Sequence, residues 1–91
     1  MEFNEKAVAI VVRRLRKKRG LSQEVLSGLA GMERSHLGMV ETGGRIPNLY
    51  TIWRISDALD MRPSELVALI EEEMEKMEKQ DNTLDNPEAL C

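Results

Sequence analysis

Apolar residues recur along this chain at steps of three and four, the period of helices and not of strands. In residues 5–19, EKAVAIVVRRLRKKR, the side chains of Val8, Val11, Val12 and Leu15 share one helix face. The basic half of that segment falls at its C-terminal end, where cations suit the helix dipole. Gly20 ends it. Ser22 is placed to cap a second helix with a stripe of Val25, Leu26 and Leu29. Gly31 then supplies a position where the backbone turns through positive φ. A third helix is expected over residues 33–42, with Leu37 and Val40 toward the interior and the pair Gly43 and Gly44 as its stop.

Arg45, Ile46 and Pro47 form a connector, after which Asn48 caps a fourth helix, LYTIWRISDAL. That helix is expected to bury some combination of Leu49, Ile52, Trp53, Ile55 and Leu59. Pro63 suits the first turn of a fifth, which carries Leu66, Ile70, Met74 and Met77 at spacings of four, four and three. The apolar period then stops and a proline appears, so residues 81–91 read as an acidic, disordered tail. The pattern contains neither a strand nor an internal repeat. The expected fold is all-α: a four-helix core in residues 1–62, the fifth helix in 63–80, then the tail.

Composition narrows this picture. Only Phe3, Tyr50 and Trp53 are aromatic, so the core of this 91-residue chain must be aliphatic. Cys91 is the one cysteine, which rules out an internal disulfide framework and fits a reducing, cytoplasmic setting. No apolar run approaches the roughly 18–20 residues that span a bilayer. The N-terminal segment MEFNEKAVAIVV carries acidic residues ahead of its apolar stretch, unlike a signal peptide.

Charge is unevenly spread. Residues 1–62 hold 11 Lys or Arg against 7 Asp or Glu, a net +4, whereas residues 63–91 hold 2 against 9, a net −7. The front of the chain attracts a polyanion and the back repels one.

The two short helices flanking Ala30, Gly31 and Met32 explain what that charge is for. A helix of eight or nine residues is marginal alone, so the pair is held by packing. A tight, glycine-containing junction between two such helices is a helix-turn-helix, whose second helix enters the DNA major groove. At about 100° per residue, Arg34, Ser35, Gly38 and Met39 lie opposite Leu37 and Val40. An arginine reads guanine O6 and N7, a serine contacts base or phosphate, and an apolar side chain meets a thymine methyl. Gly38 lets the helix approach closely. Of the run Arg13, Arg14, Arg16, Lys17, Lys18 and Arg19, only one or two can face DNA, with Arg16 and Arg19 favoured for backbone contact. Arg45, beside the glycine turn, is placed for phosphate or the minor groove. His36 has no second histidine or cysteine nearby to make a metal site.

The segments LRKKRGLSQEVL, LAGM, LGMVETGGRIP and LYTIWRISDALDMRPSEL, across residues 15–69, resemble the phage-repressor (Cro/cI-type, or Xre) helix-turn-helix family. The resemblance implies a lambda-repressor-like fold without cofactor. It implies that Gln23 contacts a phosphate and braces the third helix. It also implies that Arg34, Ser35, Gly38 and Met39 read bases, and that the loop from Thr42 to Arg45 approaches the DNA backbone. Two positions depart from the family's habit: Glu33 stands where a Ser or Thr cap is common, and Gly38 where a larger side chain is.

The fifth helix outlasts the core it could cover, leaving Met74 and Met77 among Glu71, Glu72, Glu73 and Glu75. A second copy of the same helix would bury them, so Leu66, Ile70, Met74 and Met77 are expected to form a dimer seam. The expected function is a sequence-specific, homodimeric transcriptional regulator on a partly palindromic operator. Within that class the pattern leaves open a phage-type repressor, a restriction–modification controller, and an antitoxin whose acidic tail holds a toxin. An adaptor that kept the fold but lost DNA contacts is a further alternative. An enzyme is the poorest fit, because no nucleophile–base pair, metal cluster or phosphate loop is present.

Overall fold

The computed structural model describes residues 1–85, with side chains described through Lys79. Five helices follow in order: α1 Glu5–Lys18, α2 Gln23–Ala30, α3 Arg34–Thr42, α4 Leu49–Ala58 and α5 Pro63–Asp85. No strand occurs among the described residues, and the fold is all-α. Three helix starts are held by side-chain caps, the expected Ser22 and Asn48 and, ahead of α1, Asn4. Asn4 Oδ1 accepts from the Lys6 amide at 2.9 Å, Ser22 Oγ from Val25 at 3.1 Å, and Asn48 Oδ1 from Thr51 at 2.8 Å. Among the described residues no helix is long and apolar enough to cross a membrane.

The core is aliphatic throughout and draws on every helix. It gathers Ala7, Val8, Val11 and Val12 from α1, Leu26 from α2, and Leu37 and Val40 from α3. Ile52, Ile55 and Leu59 come from α4 and its end; Leu66, Ile70 and Met74 come from α5. The buried stripe of α1 is wide enough to be covered from two sides, by α3 on one and α5 on the other. α2 packs against α3 and α4, and α4 also packs against α5.

That double use of α1 corrects the expected dimer seam. Leu66 is fully buried, Ile70 and Met74 nearly so, and Met77 packs at the core's edge, all within one chain. Asn4 Nδ2 even donates to Met77 Sδ at 3.6 Å. The methionines have a partner already, in α1 and the residues ahead of it. Two other stripes are narrower than expected. Val25 and Leu29 of α2, and Leu49 and Trp53 of α4, stand exposed. Helix α5 also runs on to Asp85, since the segment KQDNTLD holds neither glycine nor proline to stop it. The disordered tail expected over residues 81–91 is helical backbone through Asp85, and residues 86–91 lie outside the described residues.

The junction of α2 and α3 is built on Gly31, with φ of +65°. Its amide donates to the Gly28 carbonyl at 3.1 Å and that of Met32 to Ser27 at 2.9 Å, closing the end of α2. Arg54 of α4 locks the turn from below, its Nε donating to the Ala30 carbonyl at 2.7 Å while its guanidinium lies over the Tyr50 ring. A methyl group on residue 31 would collide with that guanidinium. Gly31→Ala is therefore expected to destabilise the fold by about 1–2 kcal/mol from backbone conformation alone, with the Arg54 clash added. Urea titration measures it, and an unchanged midpoint would show that the turn is not held as described.

Candidate nucleic-acid interface

Helix α3 is divided sharply into two faces. Leu37 and Val40 are fully buried against the core, while Arg34 and Ser35 are exposed, Met39 is 43% exposed, and Gly38 lies half-buried between them. The four residues expected to read bases thus share one outward surface. His36 is half-buried at the border of the two faces.

The orientation of α3 is fixed by a charge that sequence periodicity could have flagged. Glu41 follows Leu37 by four residues and Val40 by one, so it falls on the inward face, and it is buried. Its carboxylate takes a two-pronged hydrogen bond from Arg16, Nε to Oε2 at 2.8 Å and Nη2 to Oε1 at 2.9 Å. The same guanidinium donates through Nη1 to the Leu21 carbonyl at 2.7 Å. Gln23 Nε2 adds a bond to Glu41 Oε1 at 3.1 Å. One carboxylate therefore ties the end of α1, the entry to α2 and helix α3 together. Hydrogen bonding to Glu41 raises the Arg16 pKa above its ordinary value, against the opposing effect of burial.

This network corrects one expectation and sharpens another. Arg16, expected on the DNA backbone, is spent inside the fold, with its side chain only 11% exposed. A cation held by three internal acceptors is not available to a phosphate. It also leaves Arg34 unpaired: the nearby Glu41 carboxylate is taken, and Arg34 makes no ion pair within the described residues. Gln23 sits where it touches the reading helix, and its Oε1 lies 3.9 Å from where a side chain on Gly38 would begin. One amide hydrogen is used on Glu41, leaving the other free to donate outward.

Two of the remaining backbone candidates, Thr42 and Arg45, lie at the end of α3 and just after it, whereas Arg19 lines a recess with Leu59, Asp60, Met61 and Glu65 at the junction of α4 and α5. Arg19 is exposed at the end of α1, and Arg45 is exposed after the glycine stop. Thr42 is exposed, with its hydroxyl donating to the Met39 carbonyl at 3.1 Å. Gly43, with φ of +80°, turns the chain away directly after α3, so this loop borders the reading face. Arg54, which fixes the turn, was missed by sequence reading. Its signal was the i, i+4 spacing to Tyr50, which sets a cation over a ring. No group of His, Cys, Asp and Glu among the described residues could hold a metal ion.

The sequence profile of the helix-turn-helix family matches residues 12–66, which takes in α2, α3, α4 and the network around Glu41. An uncharacterised HTH-type transcriptional regulator of Sinorhizobium fredii, y4dJ, is 34% identical over 59 residues, 65% of this chain and 77% of that one. The restriction-modification controller protein C.AhdI of Aeromonas hydrophila superposes with a TM-score of 0.66 at 42% identity, covering 68% of this chain and 94% of its own. C.Esp1396I, another such controller, solved as a tetramer in complex with its natural 35 base-pair operator, shares the fold. There the TM-score is 0.72 at 19% identity, over 80% of this chain and 96% of that one. With a matching profile over most of its length and a braced, outward-facing second helix, the chain belongs to the helix-turn-helix family and is a DNA-binding transcriptional regulator.

Proposed function

We propose that two copies of this chain bind a partly palindromic operator, each laying α3 in a major groove. The half-sites then lie about one helical turn, ~34 Å, apart. The observation that carries the reading is the unpaired, exposed set on α3, held rigid from behind by Glu41. Arg34, Ser35 and Met39 supply base contacts, and Gly38 permits close approach. Gln23, Thr42, Arg19 and Arg45 hold the DNA backbone and set the register without reading sequence.

The pairing surface is moved from the buried seam to an exposed one. Leu49 and Trp53 of α4, one helical turn apart, line a groove with Pro63 and Val67 of α5, also one turn apart. All but Pro63 are prominently exposed apolar side chains, and a contiguous apolar patch around a tryptophan is what interfaces are made of. Val67 continues this surface into an apolar cavity of about 270 Å³ beside Phe3 and Pro47. The patch therefore offers both projections and a recess, as a two-fold, self-matching contact needs.

The 42% identity to C.AhdI supports a controller role in a restriction–modification system over the antitoxin and adaptor alternatives. Selection of bound sequences from random duplex DNA tests the whole proposal, since it reports motif, symmetry and spacing together. Arg34→Ala is expected to cost about 1–3 kcal/mol, concentrated at one base position in each half-site. Equal losses on every sequence would move Arg34 from base reading to phosphate contact.

A further inference from the structure

Glu33 precedes α3 at its N-cap, with φ of −73° and ψ of 144°. A side chain there ordinarily accepts from the first free amides of the helix. Asn4, Ser22 and Asn48 do so on α1, α2 and α4, but Glu33 makes no such bond. Its carboxylate is exposed and has no ion-pair or hydrogen-bond partner among the described residues. Among α1 to α4, the one unused cap belongs to the helix whose N-terminal end the proposal sets against base edges.

An unpaired carboxylate is a liability beside a polyanion, unless it meets a donor. In the major groove the donors are the amino groups of cytosine and adenine. Adenine presents N7, an acceptor, next to its amino group. Guanine presents two acceptors, and thymine an acceptor and a methyl. Cytosine alone offers N4–H₂ with no acceptor on the same base edge. We infer that Glu33 is a specificity-determining residue that accepts a hydrogen bond from a cytosine N4 amino group, next to the base read by Arg34. The inference rests on the DNA-reading proposal above. Arg34 carries only donors and Glu33 only acceptors, so the adjacent pair demands opposite base-edge chemistry at neighbouring positions.

The test is selection from random duplexes with the full chain, run in parallel for wild type, Glu33→Ala and Glu33→Gln. Because Glu33 caps nothing, both variants are expected to fold with unchanged circular dichroism. The wild-type motif should hold a cytosine, in each half-site, that Glu33→Ala no longer demands. In competition titrations the penalty for replacing that cytosine should fall from about tenfold to about onefold. Unmatched duplexes should be bound more tightly by Glu33→Ala, since a negative charge has left the interface. Glu33→Gln should move the preference at the same position to adenine, the base a glutamine reads through N6 and N7. An unchanged motif in Glu33→Ala overturns the inference while leaving the regulator reading intact. So does a base other than cytosine at the position that Glu33→Ala relaxes. Failure of the wild-type chain to bind any duplex at low salt removes the regulator reading itself, and this inference with it.

Discussion

Arg16→Ala is expected to destabilise the fold by about 3–5 kcal/mol, the cost of leaving one partner of a buried ion pair uncompensated. The side chain of Glu41 is 2% exposed, and without Arg16 only the Gln23 amide remains to it. Set against the roughly 5–15 kcal/mol that holds a domain of this kind together, that loss is a large share of the total. It corresponds to a fall in Tm of roughly 12 °C or more. Differential scanning calorimetry would measure it, and a shift below about 1 kcal/mol would mean that water screens the pair, as it does at a surface. Replacing both partners, Arg16→Met with Glu41→Leu, should restore most of the stability, because no buried charge is then left alone. The double variant should still bind its operator more weakly, since Gln23 loses the acceptor, and the Leu21 carbonyl the donor, that hold them in register with α3. On the arginine side the pair loses stability only at high pH. A raised Arg16 pKa means that its contribution is complete below the ordinary arginine value. It fades only as pH climbs through the raised one, above the range in which such a fold is assayed.

The distinction between what could be read from the chain and what could not is a distinction between local and mutual constraints. Caps, glycine stops and apolar periods are local. They placed all five helices, with Ser22, Asn48, Gly31 and Gly43 at the expected ends. The exposed face of α3 was equally legible, because 3.6-residue geometry puts Arg34, Ser35 and Met39 opposite Leu37 and Val40 whatever lies beneath. Arg16 and Glu41 were harder. Periodicity puts Glu41 on the inward face, but nothing local names the cation that lets it stay there, and Arg16 arrives from 25 residues away. The dimer seam failed for a related reason. Met74 and Met77 read as surplus because the apolar period gives α1 a single face, whereas Ala7, Val8, Val11 and Val12 serve two neighbours at once. The surplus apolar area lay instead on α4, where Leu49 and Trp53 had been assigned in part to the core.

Trp53→Glu is the substitution that turns this revised surface into a measurement. Trp53 is 56% exposed and shares its groove with Leu49, Pro63 and Val67, so a glutamate there meets water in the single chain and the helical circular dichroism should be unchanged. Met74→Asp provides the contrast: at 8% exposure it places a charge in the core and should unfold the chain outright. In a two-fold interface each tryptophan is used twice, and a glutamate in its place sets two like charges into an apolar contact. Sedimentation should therefore give the monomer mass for Trp53→Glu at concentrations where the wild type is dimeric. Losing the link between half-sites forfeits the gain from tethering two binding events, so operator affinity should fall by roughly 10²-fold or more. The slope of log affinity against log salt should fall by about half, because each monomer neutralises half the phosphates. A salt slope and mass unchanged from wild type would place the dimer contact elsewhere. A lowered affinity with an unchanged mass would mean that Trp53 acts on DNA binding within one chain.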